Sequence, residues 1–409
     1  MISNLILKIN DFGPINSASM SIGKINVIGG LNATGKSTTS RLLYCFLKGA
    51  TMDRKSFAYS LIYPQILGII TNFSDPDYTF NKRFMGNVER SVEVYAEVKK
   101  KITESDESDF QRDYLLKKME TLDKQIRIIE DNDEKLYEAL LKQMLSSEFS
   151  YDNLSGSAEF NGMYNEKSFD YSFEIKDSII NVSTEGTLLL NDIYYFDSIS
   201  IFDARYLRMM DKKKNERIVN LFDNINEDPS IEFLDDEINE KLISVKNKIE
   251  TLINGKFEFR RGKLSFISSN GHESPMGDTS SGIKQIGIIQ LLLSNRKLKE
   301  NSVLIMDEPE VNLHPEWQIK FAEILVLLAK ELNIYIYVNS HSPMFIEAMS
   351  IYSQYYDLLD DTHFYLTKKQ GKGFTFEEID ADDMGAVYEN LTSPYDELDK
   401  IKAKMVFRE

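Results

Sequence analysis

Apolar and polar positions first divide this chain into short buried runs separated by turn residues. Leu5-Ile6-Leu7-Lys8-Ile9 reads as a strand. Asn10 closes it, Asp11-Phe12-Gly13-Pro14 makes a turn, and Ile15 to Ile22 returns as the second arm of a β-hairpin. Gly23 then leads into the apolar run Lys24-Ile25-Asn26-Val27-Ile28, a buried strand. After a glycine-containing loop, Thr38 to Leu47 has helical apolar spacing, with Gly49 placed to end the helix.

Further on the pattern changes. Tyr59 to Ile70 is largely apolar and reads as partly helical, with Pro64 and Gly68 interrupting it. Leu115, Met119, Leu122, Ile126, Ile129, Leu136 and Leu140 recur at alternating spacings of four and three, with Asp133 breaking the seam. About three heptads is the minimum for a coiled coil, so an amphipathic helix packed on the body is preferred to a free arm or dimer element. Phe169 to Ile175 and Ile179 to Val182 alternate as antiparallel strands do, and Asp192 to Phe202 is a stronger apolar run expected in the core. Ile231 to Ile253 reads as a helix, and Lys256 to Phe266 as a hairpin turning at Arg261-Gly262.

Ile286 to Leu293, Trp317 to Leu332 and the strands Ser302 to Met306 and Ile334 to Val338 then alternate helix with strand. That alternation predicts α/β layering around a parallel sheet. His363 to Leu366 and Gly373 to Ile379 form a last hairpin.

The 409 residues carry a formal net charge of −17, with 42% apolar and 28% charged residues. A sizeable core is therefore available, and a surface that grips nucleic acid over its whole extent is disfavoured. The densest basic segment, Asp211 to Arg217, is read as a solvated loop rather than a nucleic-acid contact, because acids flank it. Asp380-Ala381-Asp382-Asp383 is read as a solvated helix start rather than a metal site. Cys45 is the single cysteine, so no disulfide forms within the chain and a buried thiol in a reducing compartment is expected. No apolar run reaches the roughly 18 residues of a membrane span, and the first residues lack signal-peptide features. A cytoplasmic protein without membrane partners is expected.

The chemistry centres on Gly30-Leu31-Asn32-Ala33-Thr34-Gly35-Lys36-Ser37-Thr38, between a buried strand and a helix. This is the context a phosphate-binding loop requires. Glycines let backbone N–H groups converge on an anion, and the helix N-terminus adds positive potential. Lys36 would reach the β- and γ-phosphates, and the Ser37 hydroxyl would ligate Mg²⁺. Downstream lie Ser280-Ser281-Gly282-Ile283-Lys284-Gln285, then Val303 to Pro315 (VLIMDEPEVNLHP), then Asn339-Ser340-His341-Ser342-Pro343.

Together, in this order, these segments resemble the soluble ATPases of the ABC superfamily. The resemblance is closest to bacterial AAA-type ATPases related to the OLD (overcoming lysogenization defect) family, the RecF/SMC group and the ATPase subunits of anti-phage defence systems. It extends from Ile2 to about Met349 and is weak from about Arg54 to Asn191. It implies an ABC-type P-loop ATPase head with an N-terminal antiparallel β lobe, a parallel-sheet core and an inserted helical arm. Residues 1–53 and 255–349 would form the core, 54–191 a helical and β insertion, 192–254 a strand and helix leading back, and 350–409 a C-terminal extension.

The resemblance also implies roles. ATP and Mg²⁺ are the expected cofactors. Asp307 would hold a Mg²⁺-bound water, and Glu308 would act as base or orient the attacking water, mainly through geometry. His341 would contact the γ-phosphate and align Glu308. Ser280 and Gly282 resemble the signature that meets the γ-phosphate bound by a second copy, so two ATPs would be sandwiched in a homodimer or a higher homo-oligomer. Thr279 and Ser281 depart from the usual signature. Asn312 is a candidate for the dimer-contacting loop, with His314 nearby, and the glutamine of the Mg²⁺ shell has no clear match. The residues after His341 are too few for a further domain of ordinary size. A separate effector, a nuclease or toxin, is therefore expected as partner in anti-phage defence. Direct DNA binding in repair or chromosome maintenance is the alternative, and a transporter subunit is a third reading.

Overall fold

The structure, a computed structural model, describes residues 2–51, 54–72, 88–104, 110–131, 133–149, 154–196, 221, 224–225, 236–260, 263–381, 384–392, 398, 400–402 and 404–405. The basic segment 211–217 lies outside these residues, as do Asp382 and Asp383. The chain forms two compact units, residues 1–51 with 144–409, and residues 52–143.

The first unit begins with β1 (Ile2–Phe12) and β2 (Ile15–Ile22), paired antiparallel. Leu5, Leu7 and Ile9 are buried on one side of β1, as period-two alternation requires, and Phe12 is buried after Asp11 leaves the extended conformation at φ +48°. β3 (Ile25–Gly29) is buried at every position, and α1 (Lys36–Lys48) follows the loop. Gly49 caps α1 at φ −66°, in the right-handed region, so its conformational freedom is not used there.

The second unit holds α2 (Arg54–Asn72), α3 (Val88–Glu104), α4 (Phe110–Asp131) and most of α5 (Asp133–Glu148). Pro64 is accommodated within α2. Ile62, Ile66 and Ile69 of α2 share one apolar core with Val98 and Ile102 of α3. Leu115, Met119, Leu122 and Ile129 of α4 and Leu136 and Leu140 of α5 complete it. The heptad-like positions are thus the inner face of a helical packing within this unit.

Back in the first unit come β4 (Gly156–Tyr164), β5 (Lys167–Lys176), β6 (Ile179–Glu185) and β7 (Ile193–Phe196). Then follow α6 (Asp236–Leu252), β8 (Gly255–Arg260), β9 (Lys263–Ser268), β10 (Glu273–Pro275) and α7 (Ser281–Ser294). The remainder is β11 (Val303–Asp307), α8 (Pro315–Leu332), β12 (Tyr335–Ser340), α9 (Pro343–Tyr355), β13 (Thr362–Gln370), β14 (Gly373–Ile379) and α10 (Gly385–Thr392).

Among the described residues one sheet of 11 strands runs β6-β5-β4-β1-β2-β14-β13-β3-β12-β11-β7. Strands β13, β3, β12, β11 and β7 are mutually parallel neighbours. The β6 to β2 end is antiparallel. The antiparallel lobe and the parallel core are therefore one continuous α/β layer. Helices α7, α8 and α9 bury Ile289, Leu325, Phe321 and Phe345 with Val27, Leu304 and Val338 of the parallel strands. A second sheet, β10-β9-β8, carries the Lys256 to Phe266 hairpin.

β4 pairs with β1, so residues 156–185 extend the main sheet. The compact inserted unit is the helical stretch 52–143 alone. β13 pairs with β3 inside the sheet. Strand pairing is non-local, so alternation reveals a strand without revealing its neighbours.

Candidate nucleotide-binding site

Three loops meet at the carboxyl ends of β3, β11 and β12, the edge where ligands bind in open parallel α/β sheets. The first is the phosphate-binding loop. Gly35 adopts φ +100° and Ala33 φ +61°. A Cβ on Gly35 would lie 2.6 Å from Ile15 Cγ1, so glycine is required there both by conformation and by space. Thr34 Oγ1 donates to Leu31 O at 2.9 Å, and Thr39 N and Oγ1 both donate to Gly35 O, at 2.9 and 3.0 Å. Asn32, Ala33 and Ser37 are exposed, and Thr38 is half-buried. The first-turn amides of α1 have no intrahelical acceptor and point out of the N-terminus. A pocket of N–H donors with a lysine beside it fits a polyphosphate.

β13 supports this loop from below. A Cβ on Gly30 would fall 1.9 Å from Thr367 Oγ1, an atom with no hydrogen-bond partner among the described residues. Gly30 is thus needed for close approach of the loop to β13.

Lys36 is buried, and its ammonium donates to Gly30 O at 2.9 Å and Leu31 O at 2.8 Å. It also lies 3.2 Å from His341 Nε2. Burial lowers its pKa to about 8, against the opposing pull of Glu308, Asp307 and Glu310.

The second loop follows β11. Asp307 ends that strand, buried among donors. Tyr195 of β7 donates its hydroxyl to Oδ2 at 2.7 Å, while Ser40 of α1 donates to Oδ1 at 3.3 Å. Asn339 Nδ2 also donates to Asp307 Oδ1. Ser40 Oγ itself accepts from Asn339 Nδ2 at 3.0 Å and lies 2.8 Å from the Tyr195 oxygen. Donors from three elements therefore fix one carboxylate. With the Ser37 hydroxyl it offers hard oxygen donors, which suit Mg²⁺, an ion that binds few protein groups and keeps waters.

Glu308 sits at φ +50°, a conformation costing roughly 1 kcal/mol for a residue with a Cβ. It is held by its N–H donating to Asn339 O at 2.8 Å. Its Oε1 lies 2.7 Å from His341 Nε2. His341 starts the third loop, after β12, and so stands between Glu308 and Lys36. Strain of this kind persists where surrounding contacts over-determine it, and it clusters at functional sites.

Lys36, Asp307, Glu308 and His341 are thus brought together. Ser280 and Gly282 are not: no hydrogen bond among the described residues joins them to these four. Ser280 is the exposed N-cap of α7 and its side chain makes no capping bond. A Cβ on Gly282 would lie 2.8 Å from Leu313 Cδ2 and 2.9 Å from Asn312 O, so this glycine is required by the loop after β11. Asn312 is exposed at φ +66°, and His314 accepts from Glu316 N at 3.4 Å as the N-cap of α8.

The motif reading missed Tyr195, Ser40, Asn339, Thr367 and Glu310. Asn339 and Glu310 lie within the quoted motifs, and their place beside strand ends was the available signal. Tyr195 and Thr367 carry no local signal, since only strand order brings them here.

Residues 25–347 match the family described as "AAA domain, putative AbiEii toxin, Type IV TA system". Comparison with curated proteins finds no match. Among solved structures, the chain is similar to an SMC head domain from Thermotoga maritima, at 11% identity and TM-score 0.41, covering 92% of this chain and 99% of that one. It is also similar to an Smc head bound to the C-terminal winged-helix domain of ScpA, at 9% identity and TM-score 0.46, covering 92% and 98%. An Smc head with an extended coiled coil, bound to the C-terminal domain of ScpA derived from Pyrococcus furiosus, gives 9% identity and TM-score 0.43, covering 95% and 99%. No helix among the described residues is long and apolar enough to cross a membrane. With the phosphate loop, the Asp307-Glu308 strand end and His341 assembled on a parallel sheet, and with the match spanning residues 25–347, the chain belongs to this AAA-domain family and carries its P-loop ATPase fold.

Proposed function

We propose that the protein binds ATP with Mg²⁺ and hydrolyses it at the Lys36–Asp307–Glu308–His341 site. The observation that carries this reading is the His341 ring, 2.7 Å from Glu308 Oε1 and 3.2 Å from Lys36 Nζ. Lys36 and the loop amides would bind the phosphates, with Mg²⁺ at Ser37 and Asp307 neutralising their charge. Glu308, pinned by its backbone bond to Asn339 and by His341, would orient the attacking water. His341 with a proton on Nε2 would donate to Glu308 and keep its second oxygen free for that water. Most of the barrier reduction then comes from positioning and charge stabilisation.

Two copies would close on two nucleotides, each Ser280 helix end facing the other copy's phosphates. The exposed, uncapped Ser280 supports this arrangement. ATP turnover would switch the dimer and so act on a separate effector in anti-phage defence. The family description, which names a toxin–antitoxin system, supports that setting.

The decisive variant is Glu308→Gln. Its ATP turnover should fall at least about a hundredfold with nucleotide binding retained, and its mass by light scattering should double on adding Mg²⁺-ATP. Normal turnover would remove Glu308 from the mechanism. Unchanged mass would remove the sandwich.

A further inference from the structure

Glu310 is the third carboxylate of the Asp307-Glu308-Pro309-Glu310 run, and the mechanism above gives it no part. It is 5% exposed. One of its oxygens, Oε1, accepts from three donors on consecutive residues. These are the Ser340 hydroxyl at 2.6 Å, the His341 N–H at 2.8 Å and the Ser342 N–H at 3.2 Å. Its other oxygen, Oε2, is buried and has no hydrogen-bond partner among the described residues. Burial raises the pKa of the group, opposed by the Ser340 hydroxyl and by the backbone N–H groups of Glu310 itself and His341. A buried carboxylate with one oxygen unsatisfied is costly. An apolar residue of this size would pack at lower cost, but it would leave the His341 N–H and the Ser340 hydroxyl without this acceptor, while Ser342 N–H would keep its bond to Ser340 Oγ at 3.0 Å.

The three donors span the end of β12 and the start of α9, where Ser342 Oγ accepts from Phe345 N at 3.2 Å. Glu310 therefore clamps the whole turn that presents the His341 ring. It comes from the same loop as Glu308, two residues on. A single carboxylate oxygen locks the loop after β11 to the loop after β12, and the Glu308–His341 contact sits on top of that lock. A ring held only through its side chain could rotate or retreat. With its backbone N–H fixed, the His341 ring starts from one place, and its contacts with Glu308 and Lys36 select the rotamer.

We propose that Glu310 is a positioning residue, whose Oε1 holds the His341 turn so that the imidazole meets Glu308 and Lys36. The role needs an acceptor oxygen at this reach, not a negative charge. This rests on the proposed roles of Glu308 and His341, so the test has one arm that needs no turnover.

In the full chain, Glu310→Gln keeps the acceptor, Glu310→Ala removes it, and Ser340→Ala removes one donor. The chain has four histidines, so the ring signals can be followed by NMR on histidine-labelled protein and His341 assigned with His341→Gln. Glu310→Ala should shift and broaden the His341 ring signal, and Glu310→Gln should leave it in place. An unmoved His341 signal in Glu310→Ala overturns the positioning role whether or not the protein hydrolyses ATP. In the turnover arm, Glu310→Ala should lower kcat at least roughly tenfold with KM for ATP within about twofold. Glu310→Gln should recover most of the rate, and Ser340→Ala should fall between. A Glu310→Gln variant as slow as Glu310→Ala, or a loss confined to KM, also overturns it. If Glu310→Ala fails to fold, Glu310→Gln against Ser340→Ala decides the same question. Absence of turnover in the unaltered protein would sink the proposed hydrolysis and leave the NMR arm to judge the clamp.

Discussion

At the scale of the residue, the site is organised by what its charged groups lack and what they are given. Lys36 is buried with only carbonyls and a histidine in direct contact, which is why its pKa falls to about 8. This has a consequence for nucleotide binding. Phosphate recognition needs the ammonium form, so below pH 8 the free protein already holds the required proton. Above pH 8 the free Lys36 becomes neutral, and binding must take up a proton. ATP affinity should therefore be flat below pH 8 and fall as pH rises beyond it, by at most about tenfold per pH unit. Titration calorimetry in buffers of different ionisation enthalpy should show proton uptake appearing in that range. Binding that is independent of pH up to pH 9.5 would show that Lys36 stays charged. Asp307 illustrates the opposite provision. Tyr195, Ser40 and Asn339 all donate to it, so its carboxylate is fixed before any ligand arrives. The Glu308→Gln experiment belongs to this scale too, because it removes one charge while keeping the side chain's shape.

At the scale of the element, β13 is the finding that alters the reading. It lies beside β3 and brings Thr367 beneath Gly30. The phosphate-binding loop thus rests on a strand from near the end of the chain. Gly30→Ala should force the loop off that floor. Overpacking of this kind costs about 1–3 kcal/mol, to be read as a lower thermal midpoint together with weakened nucleotide binding. Adding Thr367→Ala removes the Oγ1 clash and leaves Thr367 Cβ at 3.0 Å from the new methyl group. The double variant should recover part of both losses. No recovery would mean that backbone conformation at Gly30, rather than contact with β13, sets its requirement.

Elements also show how far local pattern reaches. The β1–β2 and β13–β14 hairpins, β11, β12 and helices α1, α7 and α8 are legible from alternation, helical spacing and turn residues, all short-range properties. The heptad-like run in α4 and α5 is equally legible as an apolar face. That this face is covered by α2 and α3 is not, because several partners could cover such a stripe.

At the scale of the whole molecule, Lys36, Asp307, Glu308, Glu310 and His341 all belong to the unit formed by residues 1–51 and 144–409. The helical unit has its own apolar core. Replacing residues 52–143 by a flexible linker long enough to span the excision should leave a folded body. That body should unfold cooperatively and gain thermal stability with Mg²⁺-ATP. A body that unfolds, or that no longer responds to nucleotide, would show that the helical unit is needed to build the site.

The amino-acid order alone determined the chemistry on offer. Strand, glycine loop, Lys36-Ser37 and helix form one short contiguous signal, and Asp307-Glu308 and His341 each follow an apolar run that must end at a sheet edge. These signals survive because each depends on residues within a few positions of one another. Only the tertiary structure decided what holds that chemistry in place. Tyr195 on Asp307, Thr367 under Gly30 and Glu310 on the His341 turn arise from strand order and from loops meeting across the sheet. Periodicity reports which side of a strand is buried, but not which distant strand lies beside it. That choice is made by the packing of the entire sheet.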